Sequence, residues 1–80
     1  MRKKLAEILG EATTVAPLQV GTMTIESHDG RLAFYGARWY LFSVTVHAMD
    51  SELEYNLRNY TEYTWTEFRR HVRNALRKRG

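Results

Sequence analysis

Five arginines and a lysine crowd one short stretch of this sequence. Arg69, Arg70, Arg73, Arg77, Lys78 and Arg79 stand in residues 68–80 with no acid among them, a net charge of +6. A guanidinium is always charged and presents a planar fork of donors that matches phosphate or carboxylate. Arg69, Arg73 and Arg77 recur at i, i+4 and i+8, so on a helix they form one ridge with about 6 Å between successive residues. Arg70 flanks that ridge, and Lys78 falls on the other flank with His71. The chemistry on offer is ionic docking on an anionic surface. Cations in the last turn also complement a helix's negative end. That accounts for two or three of the six. Arg2, Lys3 and Lys4 add a second basic cluster near the start of the chain.

A second set mixes cations with aromatic and apolar groups. Arg31, Tyr35, Trp39, Leu41, Arg58 and Tyr60 are expected to share the outer face of a sheet. Aromatics interleaved with arginine can stack on bases. A patch of this kind equally suits a second copy of the chain or another protein.

Catalytic and metal chemistry find less support. His28 and Asp29 are adjacent, and His47 and Asp50 are three apart, but neither pair has the third and fourth ligands of a transition-metal site. No metal and no cofactor are therefore expected. Ser27, Ser43 and Ser51 lack a nucleophile-elbow context, and no phosphate loop or dinucleotide fingerprint is present. One enzymatic reading survives on residue type alone: Tyr35, His47, Arg58 and Tyr60 are the kinds of group that small metal-independent toxin ribonucleases use.

These groups need elements to position them. Leu5, Ile8 and Leu9 recur at helical spacing over residues 2–9, with Gly10 where a C-terminal cap belongs. Pro17 suits the start of a strand. Residues 18–27 and 31–36 read as a hairpin turning on Asp29-Gly30. Gly36 marks a break or bulge. Over 39–48, Tyr40, Phe42, Val44, Val46 and Ala48 alternate with Trp39, Leu41, Ser43, Thr45 and His47, so the first set is expected to face the core. Leu53, Tyr55 and Leu57 continue that period of two, and with the Tyr, Asn and Thr content they predict a strand over 53–60; Leu53, Leu57 and Tyr60 also fit a helix. Over 65–78, Thr64 and Glu67 form a capping box, and Trp65, Phe68, Val72, Ala75 and Leu76 share one face. The expected fold is a single α+β domain over residues 1–80. Its order is α-β-β-β-β-α, with helix 2–9, sheet 18–60 and helix 65–78. N- and C-terminal helices cover one face of an antiparallel sheet.

Composition narrows the function classes. The chain has 80 residues, 44% hydrophobic and 26% charged, which suits one small domain rather than a disordered segment. The absence of cysteine removes disulfides, thiolate metal sites and thiol nucleophiles. No apolar run reaches the ~20 residues of a membrane span, and no secretory leader is recognisable. The net charge of +3 conceals a segregation: residues 50–67 carry Asp50, Glu52, Glu54, Glu62 and Glu67 against Arg58 alone, a net −4. A surface of both signs suits a specific protein partner better than a simple DNA coat. The leading expectation is a non-catalytic interaction module. Its partner would be a protein or ribonucleoprotein complex, or else nucleic acid, with action in a bacterial cytoplasm. By class analogy, without any residue motif, that is the niche of small regulators from phages and mobile elements, anti-CRISPR inhibitors among them. The rival is a homodimeric accessory subunit joined across Tyr35, Trp39 and Leu41.

Overall fold

Alternate residues of three hairpins decide the architecture. In the computed structural model, which describes residues 3–36 and 38–79, Leu18, Val20, Met23, Ile25, Leu32, Phe34, Phe42 and Val44 are all buried on one face of a four-stranded antiparallel sheet. The elements are α1 (Leu5–Ala12), β1 (Leu18–Val20), β2 (Met23–His28), β3 (Arg31–Gly36), β4 (Trp39–Thr45), α2 (Asp50–Tyr60) and α3 (Trp65–Arg79). The strands lie side by side in chain order, as successive hairpins favour. All three helices pack on the buried face: α3 against β1, α1 against β2 and β3, and α2 against β4. Register sets three rows on the other face. Gln19, Thr24, Tyr35 and Tyr40 make the first; Glu26, Ala33 and Ser43 the second; His28, Arg31 and Thr45 the third.

The stretch expected as one strand over 18–27 is two, because Gly21 and Thr22 turn the chain between β1 and β2. Gly21 has φ +60°, which favours glycine, and a Cβ there would collide with the Tyr63 hydroxyl. That hydroxyl accepts the Thr22 amide at 2.9 Å, pinning the turn to the α2–α3 connection. The expected Asp29-Gly30 turn is present, with φ of 51° and 75°.

Helix α1 also differs from its expectation of 2–9. It begins at Leu5 and runs through Gly10 to Ala12; Arg2 lies outside the described residues. Gly10 is a close-approach residue rather than a cap: a Cβ there would stand 3.0 Å from Val46 Cγ1. Thr13 closes the helix instead, its hydroxyl donating to the Leu9 carbonyl at 2.7 Å.

The strand expected over 39–48 ends at Thr45 and is irregular. Phe34 pairs with Phe42 but Tyr35 with Tyr40, so Leu41 is an extra residue in β4. A bulge of this kind reverses the parity of everything before it. Tyr40 therefore moves to the outer face, 53% exposed, while Leu41 packs against the core.

The largest correction concerns residues 53–60, which are helix rather than strand, so the sheet ends at 45 and not at 60. Leu53 and Leu57 are buried while Tyr55 between them is 65% exposed, whereas a strand would put all three on one face. The asparagines that weaken a helix are accommodated by bonds back along it: Asn56 to the Glu52 carbonyl at 2.9 Å and Asn59 to the Tyr55 carbonyl at 2.8 Å.

Five aromatic rings thread the core. Trp65 stacks on Phe68 (6.0 Å), Phe68 tilts against Phe34 (6.3 Å), Phe34 stacks on Phe42 (4.3 Å), and Phe42 stacks on Tyr60 (5.8 Å). The file joins α3, β3, β4 and α2. Among the described residues no buried side-chain polar atom lacks a hydrogen-bond partner.

Candidate docking surface

Helix α3 forms as its sequence predicts. The Thr64 amide donates to Glu67 Oε1 at 2.9 Å and the Glu67 amide to Thr64 Oγ1 at 3.1 Å, closing the capping box. Those bonds to Thr64, with Arg70 and His71 nearby, hold the Glu67 carboxyl below its ordinary range. Phe68 and Val72 are buried, and Trp65, Ala75 and Leu76 pack partly against the core. That anchoring fixes the opposite flank. Arg69, Arg70, Arg73, Arg77 and Lys78 are all exposed. Ion pairs within 4.0 Å among the described residues are Lys3–Glu11, His28–Asp29 and Arg58–Glu54, so no described carboxylate neutralises any of these five cations.

The sixth cation behaves differently. Arg79 donates to the Ala12 carbonyl and, at 2.5 Å, to the Pro17 carbonyl. It clasps the α1–β1 connector and belongs to the fold rather than to the ridge. At the other end of α3, Arg69 shares a cleft of about 440 Å³ with Lys3, Lys4, Leu5, Ile8 and Asp50. The two ends of α3 thus lie near the corresponding ends of α1.

Of the N-terminal cations, Lys3 is answered by a carboxylate of the same chain. Lys3 Nζ sits 2.6 Å from Glu11 Oε2, and that hydrogen bond and charge raise its pKa. Lys4 Nζ donates to the His47 carbonyl at 3.4 Å. Asp50, unassigned by the sequence, closes the cleft: its Oδ1 accepts the Leu5 amide at 3.1 Å and ties α2 to the first turn of α1. A lone aspartate at a helix start gives no sequence signal for such a long-range bond.

The expected sheet-face set is divided. Arg31 and Tyr35 lie on the outer face, as expected. Trp39 pairs with Gly36 and takes the opposite parity; it is 75% exposed at the rim of the helical side. Leu41 is turned to that side by the bulge, and Arg58 and Tyr60 are on α2. Tyr40 takes their place beside Tyr35, its ring 5.8 Å away in an edge-to-face pair. The patch of Tyr35, Trp39 and Leu41 imagined as a dimer seam is thus not one surface. Nor does the fold assemble Tyr35, His47, Arg58 and Tyr60, which lie on the outer face, beyond β4 and on α2.

Two further features bear on function. Among the described residues no group of three or more His, Cys, Asp or Glu could hold a metal ion, and no helix is long and apolar enough to cross a membrane. Compared with protein-family models, curated proteins and solved structures, the chain matches none.

Proposed function

We propose that this protein is a non-catalytic docking module that binds an anionic surface through the exposed arginines of α3. The observation that supports the reading is the set Arg69, Arg70, Arg73 and Arg77, held on a helix anchored by Phe68 and Val72 and left without an intramolecular counterion among the described residues. Ordering four guanidiniums on one rigid element lowers the entropy lost when a partner binds. A surface of both signs, with an acidic α2 beside a basic α3, favours a protein or ribonucleoprotein partner whose own charges fix the register. By class analogy alone, this is the niche of small phage and mobile-element regulators, anti-CRISPR inhibitors among them, and on that analogy the site of action is a bacterial cytoplasm.

The test is charge reversal of Arg69→Glu with Arg73→Glu. The double variant should keep its circular dichroism and melting temperature and lose binding to the partner captured from the host. Binding that survives the reversal discards the ridge. The salt dependence separates partner classes: a nucleic acid gives a log–log slope of about −0.9 per phosphate contacted on a duplex, and an acidic protein a shallower one.

A further inference from the structure

The sheet face turned away from the helices carries a shallow trough whose chemistry is specific. Tyr35 and Tyr40 form one end, adjacent across β3 and β4 with rings at 73°. Ala33 gives the trough a low floor, and Arg31 stands at the far end, four residues along β3, a rise of about 13 Å. The space between has a volume of about 420 Å³. Arg31 is positioned rather than loose: Nε and Nη2 both donate to Ser43 Oγ, at 3.3 and 2.9 Å. Ser43 is neutral and no described carboxylate lies within 4.0 Å, so the guanidinium charge is uncompensated. Glu26 forms a side wall and has no ionic partner among the described residues either.

We propose that this face binds single-stranded nucleic acid. A base stacks on the exposed Tyr40 ring, which Tyr35 buttresses edge-on, its amino or imino donors reach Glu26, and a phosphate meets the preset Arg31 fork. Each group complements one part of a nucleotide: a π-face for the base, an acceptor for its Watson–Crick donors and a cation for the phosphate. A duplex is a poor fit, because its bases are already stacked and a broad sheet face enters neither groove. A second copy is disfavoured, because closing two such faces would bury Arg31 and Glu26 with mostly polar neighbours. The site lies across the sheet from α3 and does not rest on the arginine ridge.

The experiment measures fluorescence anisotropy of a labelled twelve-residue oligothymidylate, with a duplex of equal length as comparison. It is run on the wild-type chain and on the Arg69→Glu/Arg73→Glu background. The expected result is single-strand binding that persists on the ridge-reversed background and quenches tyrosine emission. It should fall by on the order of tenfold or more in Tyr35→Ala/Tyr40→Ala and be retained in Tyr35→Phe/Tyr40→Phe, where the rings remain. No binding to the single strand, binding abolished by ridge reversal alone, or binding unchanged by the alanine pair would each overturn the proposal. So would a sedimenting dimer that Tyr40→Ala dissolves, since a second copy would then cover the trough.

Discussion

Helices α2 and α3 are joined by a four-residue connection and are both rich in charge, yet they use it in opposite ways. In α2 the charges are consumed within the chain. Asp50 holds the Leu5 amide, Glu54 pairs with Arg58 at 3.2 Å, and the first turn gathers Asp50 and Glu52 where the helix dipole favours anions. In α3 only the ends are consumed, by the Thr64–Glu67 box and the Arg79 clasp. The middle of the ridge is left open to solvent. The contrast teaches that composition alone does not mark a binding surface. What marks it is a row of like charges on a well-anchored element, with nothing in the same chain to answer it.

Mutations can break that contrast or sharpen it. The largest expected effect is on the anchor. Phe68→Ala interrupts the aromatic file and should cost about 3–5 kcal/mol, enough to unfold much of a domain this size; a denaturant melt that barely moves would show that α3 is not held by its core face. The next concerns α2. Asp50→Ala removes the acceptor of the Leu5 amide and should cost about 1–2 kcal/mol in the same measurement. Ridge reversal at Arg69 and Arg73 should change stability by no more than about 0.5 kcal/mol. That pairing of a costly acid in α2 with cheap arginines in α3 is the contrast in measurable form, and comparable costs would erase it.

Smaller effects test the caps. Thr64→Ala should cost about 1 kcal/mol. It should also alter the acid limb of the stability curve. Because the folded Glu67 carboxyl titrates below its ordinary range, its contribution is present above the unfolded value and fades as pH falls through the folded one. Thr64→Ala removes only the hydroxyl's share of that effect, because the amide of residue 64 still donates to Glu67, so the limb should flatten in part. Glu67→Gln should remove the contribution altogether; an acid limb unchanged in Glu67→Gln would exclude the box as its source. Last, Arg58→Ala should cost about 0.3–0.5 kcal/mol and lose even that in high salt, as exposed i,i+4 pairs do.

Much of this arrangement was legible in residue spacing. The capping box and apolar arc of α3 are local, and so is the Asp29-Gly30 turn, which is why both form as read. The helix over residues 53–60 was not legible, because Leu53, Tyr55 and Leu57 satisfy a period of two as well as Leu53 and Leu57 satisfy a period of four. Burial against β4 decided between them, and burial is not local. The bulge at Leu41 was signalled only by Gly36 on the neighbouring strand, and one extra residue was enough to exchange Tyr40 for Trp39 and Leu41 on the outer face. The ridge itself was visible, but its lack of counterions depends on where every carboxylate of the described chain ends up.

The clasp of Arg79 on the carbonyls of Ala12 and Pro17 joins positions 67 and 62 residues apart. Folding must therefore bring together groups more than sixty residues apart in sequence before this clasp can form. Contacts of such separation are closed against the entropy of a long loop, so the docking of the last turn of α3 on the α1–β1 connector is expected to be a late event in folding.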